Sequence, residues 1–274
     1  MKIQNALKLA YKLLDSESKL LDTELLISAI TDQSRTALYA HPEQKLTLNE
    51  LLRFFYYLLQ RKRGMPIAYL LKHKEFFGLD FSVNRNVLIP RPDSEILVEH
   101  AISLLKESPS FIIEIGTGSA CLACAIAKNL ATSRIIATDI STKALTVAAK
   151  NLAKHHLSKQ IELRTSDLLA EIPEYQQADL IIANLPYIST KDYQQLPRTI
   201  RKFEPRQALL AGEDGLQFYS KLLMDLTDFK GNIIIEIAGL KQAEQIKVNF
   251  PNFKVTILKD LAQNVRGLSL KNLK

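Results

Sequence analysis

Phe111-Ile112-Ile113-Glu114-Ile115-Gly116-Thr117-Gly118-Ser119-Ala120 is the stretch that decides the fold. Its first half is a short apolar run, as expected of a strand buried on both faces of a parallel sheet. Gly116 and Gly118 allow a tight turn and a close backbone approach to a ligand. A helix of small residues is expected next, over 121–130. Beyond it strand and helix patterns alternate. Strands are expected at 111–115, 134–139, 161–165, 179–183, 232–238 and 254–259, and helices at 121–130, 142–155, 216–226 and 241–249. Such alternation specifies a doubly wound α/β sheet. Its last two strands are expected to be partly antiparallel.

Open sheets of this kind bind ligands at the carboxyl ends of their strands. The second strand ends in Asp139, where an acid about 20 residues after the glycines can accept both hydroxyls of a ribose. The third ends in Thr165-Ser166-Asp167-Leu168; Asp167 can accept an adenine amino group and Leu168 can pack on the ring. A full dinucleotide fingerprint needs a third glycine, and Ala120 stands near its place. These strand ends therefore suit an adenosine without a pyrophosphate as readily as NAD.

The fourth strand runs into Asn184-Leu185-Pro186-Tyr187. The Asn184 side-chain oxygen and the Leu185 carbonyl can each accept one N–H of an amide or exocyclic amine. Pro186 fixes its own φ and keeps Leu185 out of helix, which holds that carbonyl outward. Tyr187 offers a flat face to a planar group. The plainer alternative is a strand-ending turn with a buried tyrosine.

Upstream, apolar positions over 3–30 have helical spacing and are divided by Asp15-Ser16-Glu17-Ser18, with Ser16 or Ser18 as the cap of the second helix. A short helix is expected at 36–39. Thr47 and Glu50 form a capping box for a helix over 48–63 that ends in Arg61-Lys62-Arg63 and Gly64. This bundle lacks a cluster of catalytic residue types and reads as a recognition or docking domain. Residues 65–69 read as extended or turn-like, 75–83 as a hairpin around Gly78, and Asp93 or Ser94 as the cap of a helix over 95–106. The segment 189–215 shows little periodicity, carries Lys191, Arg198, Arg201, Lys202 and Arg206, and reads as a long functional loop.

The 274 residues suffice for a large and a small domain, and 47% hydrophobic with 24% charged residues describes a soluble globular chain. No apolar run nears the roughly 20 residues that span a bilayer, and residues 1–5 lack a signal-peptide core, so a cytoplasmic protein is expected. A net charge of +7 favours anionic partners only weakly. Cys121 and Cys124 read as close-packed core, His155-His156 as a solvated helix end, and Arg61-Lys62-Arg63 with Lys72 and Lys74 as a solvated face. No metal site is expected.

Taken together, Gly64-Met65-Pro66-Ile67-Ala68-Tyr69, Glu75-Phe76-Phe77, residues 88–95, Gly116-Thr117-Gly118, Asn184 to Tyr187, Phe203-Glu204-Pro205 and Ala211-Gly212-Glu213-Asp214-Gly215-Leu216 resemble the HemK/PrmC family. That family methylates the glutamine of the Gly-Gly-Gln motif in peptide chain release factors, using S-adenosyl-L-methionine. The resemblance implies a Rossmann-like, seven-stranded methyltransferase sheet with a small N-terminal helical bundle. It implies a substrate-recognition domain at 1–64, a hairpin linker at 65–92 and a catalytic domain at 93–274. The cofactor would lie on Glu114, Gly116, Thr117, Gly118, Ser119, Ala120, Asp139, Asp167, Leu168 and Asn184. The substrate glutamine would be held and activated by Asn184, Leu185, Pro186 and Tyr187, with Phe77 and Arg91 bordering the pocket. The partner would be a release factor, met by a monomer with no need for direct nucleic-acid binding. Two positions depart from the family pattern: Leu185 replaces a proline, and Ala120 replaces a glycine, where a methyl bears on the cofactor or on the helix start. Asn-Leu-Pro-Tyr also occurs in rRNA adenine dimethyltransferases, so an RNA adenine amino group is the alternative substrate. An NAD-dependent oxidoreductase and a docking protein without turnover are the remaining rivals.

Overall fold

Helical periodicity builds the N-terminal part, and buried strands build the rest. The computed structural model describes residues 1–16, 18–106 and 109–273, so Glu17 of the expected helix break lies outside the described residues. The chain divides into two compact units, residues 1–73 with 197–203 and residues 74–196 with 204–274.

The first unit contains α1 (Ile3–Leu13), α2 (Lys19–Thr31), α3 (Arg35–Ala40), α4 (Leu48–Lys62) and α5 (Ile67–Leu71). Ile3, Ala6 and Ala10 recur on one face of α1 and pack with Ile27, Leu38, Phe54 and Leu58. The Thr47–Glu50 capping box opens α4 as expected. Gly64 follows its end at φ +90°, where a β-carbon would lie 2.8 Å from Thr199 Cγ2, so glycine is required both by conformation and by space. Ser18 stands at the N-cap position of α2 but makes no side-chain cap bond; the Ser16 and Ser18 hydroxyls both donate to the buried Asp22 carboxylate. Arg61 is not a solvated cation, because it pairs with Asp22 at 2.7 Å. Residues 67–71 are helical, with the Pro66 carbonyl accepting from Tyr69 and Leu70; one turn is too short to show a period.

The second unit starts from the hairpin β1 (His73–Phe76) and β2 (Leu79–Ser82). Phe77 at φ +51° and Gly78 at φ +71° make the turn, both left-handed, as a two-residue hairpin loop requires. Then follow α6 (Glu95–Leu105), β3 (Phe111–Ile115), α7 (Cys121–Asn129), β4 (Arg134–Asp139), α8 (Thr142–Lys154), β5 (Ile161–Thr165) and β6 (Leu180–Ala183). After β6 come α9 (Thr190–Gln195), α10 (Arg198–Phe203), α11 (Gln217–Asp225), β7 (Asn232–Glu236), α12 (Leu240–Asn249), β8 (Phe253–Lys259) and β9 (Val265–Asn272). The segment 189–215 is therefore not irregular. Ser189 caps α9 by accepting from the Asp192 N–H, and the helix Arg198–Phe203 clusters with the first unit.

Among the described residues the main sheet is seven-stranded, in the order β5-β4-β3-β6-β7-β9-β8. The strands β5 through β7 are parallel. β9 is antiparallel to both its neighbours, so β7 and β8 owe their antiparallel contacts to a strand that the sequence reading lacked. Alternation along β3 sends Ile112 to one core layer and Ile113 and Ile115 to the other. The strand order reverses between β3 and β6, which opens a crevice at their carboxyl ends.

Candidate active site

The loops leaving β3, β4, β5 and β6 meet at one cavity of about 440 Å³, within the size range of small-molecule sites. The glycine loop forms one side. Gly116 and Gly118 have φ +74° and +55°. A β-carbon at Gly118 would meet nothing within 4 Å, while at Gly116 it would come 2.9 Å from Leu185 Cδ2. The loop thus turns an open backbone face to the cavity and packs its other glycine against the tetrapeptide. Thr117 Oγ donates to Glu114 Oε2 at 2.5 Å, and the Thr117 N–H donates to the Thr138 carbonyl at 2.7 Å. Burial pushes the Glu114 carboxyl up to about 8, with the Thr117 hydroxyl opposing the shift.

Asp139 at the end of β4 accepts from the Gly118 N–H at 2.9 Å and the Ser141 N–H at 2.8 Å, and it lines the cavity. Desolvation raises its pKa, with those two bonds opposing. Leu168 also lines the cavity, at φ +55°, a strained conformation for a branched residue. It is held there by the Ser166 hydroxyl, which donates to its carbonyl at 2.8 Å. Asp167 is at the rim, half-exposed and paired with Lys221 at 2.9 Å.

Across the cavity, Asn184 Nδ2 donates to Glu236 Oε2 at 2.8 Å and to Ser94 Oγ at 3.1 Å. A carboxylate accepts and does not donate, which fixes the amide orientation and leaves Oδ1 free of these partners. The Ser94 hydroxyl also donates to Glu236, and Tyr187 Oη donates to Glu236 Oε1 at 3.0 Å. Burial raises the Tyr187 pKa, and the neighbouring Glu236 charge adds to the effect. Leu185 is buried; its N–H donates to Tyr219 Oη at 3.1 Å. Arg91 is anchored by Glu204 at 2.5 Å.

Of the residues expected from sequence, Glu114, Gly116, Thr117, Gly118, Ser119, Asp139, Asp167, Leu168, Asn184, Leu185, Pro186 and Arg91 surround this cavity. Ala120, Phe77 and Tyr187 do not line it. Ala120 is fully buried at φ +61° before α7, so its methyl bears on the helix start. Phe77 packs against the core layer beside Phe76, its N–H donating to Glu95 at 2.9 Å. Tyr187 turns its hydroxyl toward Glu236. Ser94 does stand at the N-cap position of α6, but its side chain makes no cap bond and serves Glu236 instead, while Asp93 pairs with Arg266 at 2.7 Å. His155 is half-buried against Phe81, at 5.1 Å between ring centres; Cys124 lies in the core as expected, whereas Cys121 is half-buried, packs against that core and lines the cavity, where desolvation pushes its thiol up to about 12. Sequence reasoning missed Ser94, Glu204, Tyr219 and Glu236 as site residues.

Comparison with known proteins gives the site a context. Residues 5–71 match the PrmC N-terminal domain, and residues 98–189 match the model of ribosomal protein L11 methyltransferase (PrmA). A release factor glutamine methyltransferase from Rhodopirellula baltica is 39% identical over 93% of this chain and 90% of its own length. One from Shewanella oneidensis is 34% identical over 96% of this chain and 94% of its own length. Among solved structures, the hMettl16 catalytic domain in complex with MAT2A 3'UTR hairpin 6 has a TM-score of 0.60 at 16% identity, covering 84% of this chain and 87% of that one. That likeness is one of fold.

Proposed function

The chain belongs to the family of release factor glutamine methyltransferases, and from that premise we propose that it methylates the side-chain amide nitrogen of the Gly-Gly-Gln glutamine in bacterial-type peptide chain release factors, with S-adenosyl-L-methionine as donor. The observation that carries this reading is a shared cavity. The glycine loop, Asp139 and Leu168 line one part of it, and Asn184, Leu185 and Pro186 line another. The open face at Gly118 and the carboxylate at Asp139 fit an adenosine-bearing cofactor. Asp139 would hold ribose hydroxyls, Leu168 would pack on the base, and Asp167 would take its amino group. When bound, the cofactor supplies an electrophilic methyl group on sulfur.

What remains is the work of this chain's own residues. An amide nitrogen is a poor nucleophile because its lone pair is delocalised into the carbonyl. Asn184 Oδ1 and the Leu185 carbonyl would each accept one of its protons, raising electron density on nitrogen and aiming it. Positioning and preorganised dipoles are then the main source of acceleration. Pro186 stiffens the turn at the Leu185 carbonyl, the Tyr187 hydroxyl donates to Glu236, and Arg91, held by Glu204, lines the cavity.

In the first unit, α4 exposes Leu48, Leu52, Phe55, Tyr56 and Leu59 at helical spacing. We assign residues 1–64 to recognition of the release factor body, residues 65–92 to a linker and residues 93–274 to catalysis. Among the described residues no helix is long and apolar enough to cross a membrane. We assign the chain to the cytoplasm, acting as a monomer without direct nucleic-acid contact. Asn184→Ala tests the reading. It should abolish transfer to release factor while cofactor affinity falls by less than tenfold, since it removes one of two acceptors at the reacting nitrogen. Transfer at the wild-type rate would refute the assignment.

A further inference from the structure

Glu236 ends β7 and is 3% exposed, yet no opposing cation contacts it within 4 Å among the described residues. Its carboxylate instead gathers three donors: the Ser94 hydroxyl, the Asn184 side-chain NH2 and the Tyr187 hydroxyl. Two of these donors belong to the Asn184–Tyr187 motif. A buried carboxylate is costly unless its lone pairs are satisfied, so a cluster like this has a definite sense: every contact must run toward Glu236. Asn184 has a reversible side chain, since its amide can present either oxygen or nitrogen. With its NH2 drawn to Glu236 and Ser94, only Oδ1 is left for the cavity.

We propose that Glu236 is a positioning residue that sets the polarity of the substrate pocket. It fixes Asn184 as an acceptor, so that the pocket takes a carboxamide NH2 and rejects the isosteric carboxylate. The inference rests on the function proposed above, and goes further by naming what discriminates glutamine from glutamate. Removing the acceptor at position 236 frees Asn184 to rotate. Its NH2 then faces the cavity in part of the population, where it repels an amide's N–H and welcomes a carboxylate. Glutamine at position 236 can keep its oxygen on Ser94 and Asn184 while its own NH2 donates to Tyr187 Oη, which can accept. It should therefore preserve the polarity that methionine, of similar length and without a strong acceptor, loses.

The experiment compares wild type, Glu236→Met, Glu236→Asp and Glu236→Gln in methyl transfer to a release factor, and in binding of that factor and of its Gly-Gly-Glu form. Cofactor affinity and melting temperature are measured alongside. Glu236→Met should lose about 100-fold in kcat, the scale of one misdirected preorganised group, and should bind the Gly-Gly-Glu factor relatively better than wild type does. Glu236→Asp withdraws the acceptor by one methylene and should lose at least about tenfold in kcat. Glu236→Gln should stay within about tenfold of wild type and keep its preference for the amide. If the methionine variant does not fold, the aspartate and glutamine pair decides. A folded, cofactor-binding methionine or aspartate variant with wild-type kcat and selectivity would overturn the proposal. So would a glutamine variant as impaired as they are, since charge rather than acceptance would then matter. A wild-type enzyme that leaves the release factor unmethylated would instead refute the proposed function itself.

Discussion

Leu185 brings to the motif an N–H group that a proline there would lack. It is buried, and its acceptor is the hydroxyl of Tyr219, itself fully buried, at 3.1 Å. The same hydroxyl lies 3.4 Å from the Leu185 carbonyl, a longer and weaker contact. Tyr219→Phe removes the acceptor and strands a buried donor, at a cost of about 1–3 kcal/mol. Leu185→Pro removes the donor, and with it the packing of Leu185 Cδ2 over Gly116. That packing loss is common to both Tyr219 backgrounds and cancels in a double-mutant cycle. The cycle should therefore show a coupling of about 1–2 kcal/mol, because Tyr219→Phe strands no N–H once residue 185 is proline, while the loss of its contact with the residue 185 carbonyl is common to both backgrounds. Urea denaturation of the four proteins reads it directly. On the scale of this unit each kcal/mol also moves the melting temperature by about 2–4 °C. Additive effects within about 0.5 kcal/mol would refute the idea that Tyr219 answers the N–H of Leu185. Leu185→Pro should also keep or raise methyl transfer, since residue 185 acts on substrate through its carbonyl; a folded, cofactor-binding but inactive protein would contradict that role.

Two further expectations concern the cofactor side. Asp139→Ala removes charge-assisted hydrogen bonds of about 1.5–3 kcal/mol each, so the S-adenosyl-L-methionine dissociation constant should rise at least tenfold by calorimetry; an unchanged constant would remove Asp139 from the site. Glu114, raised by burial to about 8, binds a proton more tightly folded than unfolded. Its contribution to stability is full below its unfolded pKa of about 4.3, and is lost as pH rises through about 8. Wild type should therefore lose melting temperature between pH 5 and pH 8.5 by more than Glu114→Gln does, and equal slopes in thermal scans would show that Glu114 is not held neutral.

How much of this was legible in the sequence depends on distance along the chain. The β3–loop–α7 passage was readable because its signals are local: an apolar run, Gly116 and Gly118, then small helical residues. The Thr47–Glu50 box was readable for the same reason. β9 escaped because Gly267 and alternating polar residues break its apolar run, and it gains its meaning only by pairing with β7 and β8. The helices within 189–215 are each one to two turns long, below the length at which a period declares itself. Glu236 carried no signal at all, being a single acid at the end of an apolar strand, with Ser94 lying 142 positions away. Ser94 occupies the cap position that Ser before a helix normally takes, but only its buried partner shows that its hydroxyl is turned away from the helix end. Chemistry alone suggests a pair of acceptors in the motif Asn184–Tyr187, but which atom of Asn184 is drawn inward is decided by groups on other elements.

The most direct measurement is mass spectrometry of a bacterial release factor after incubation with this protein and S-adenosyl-L-methionine. A single added methyl group is expected on the glutamine of the Gly-Gly-Gln motif, absent when that glutamine is alanine and absent with Asn184→Ala. Label on rRNA adenine, with the release factor unmodified, would contradict it.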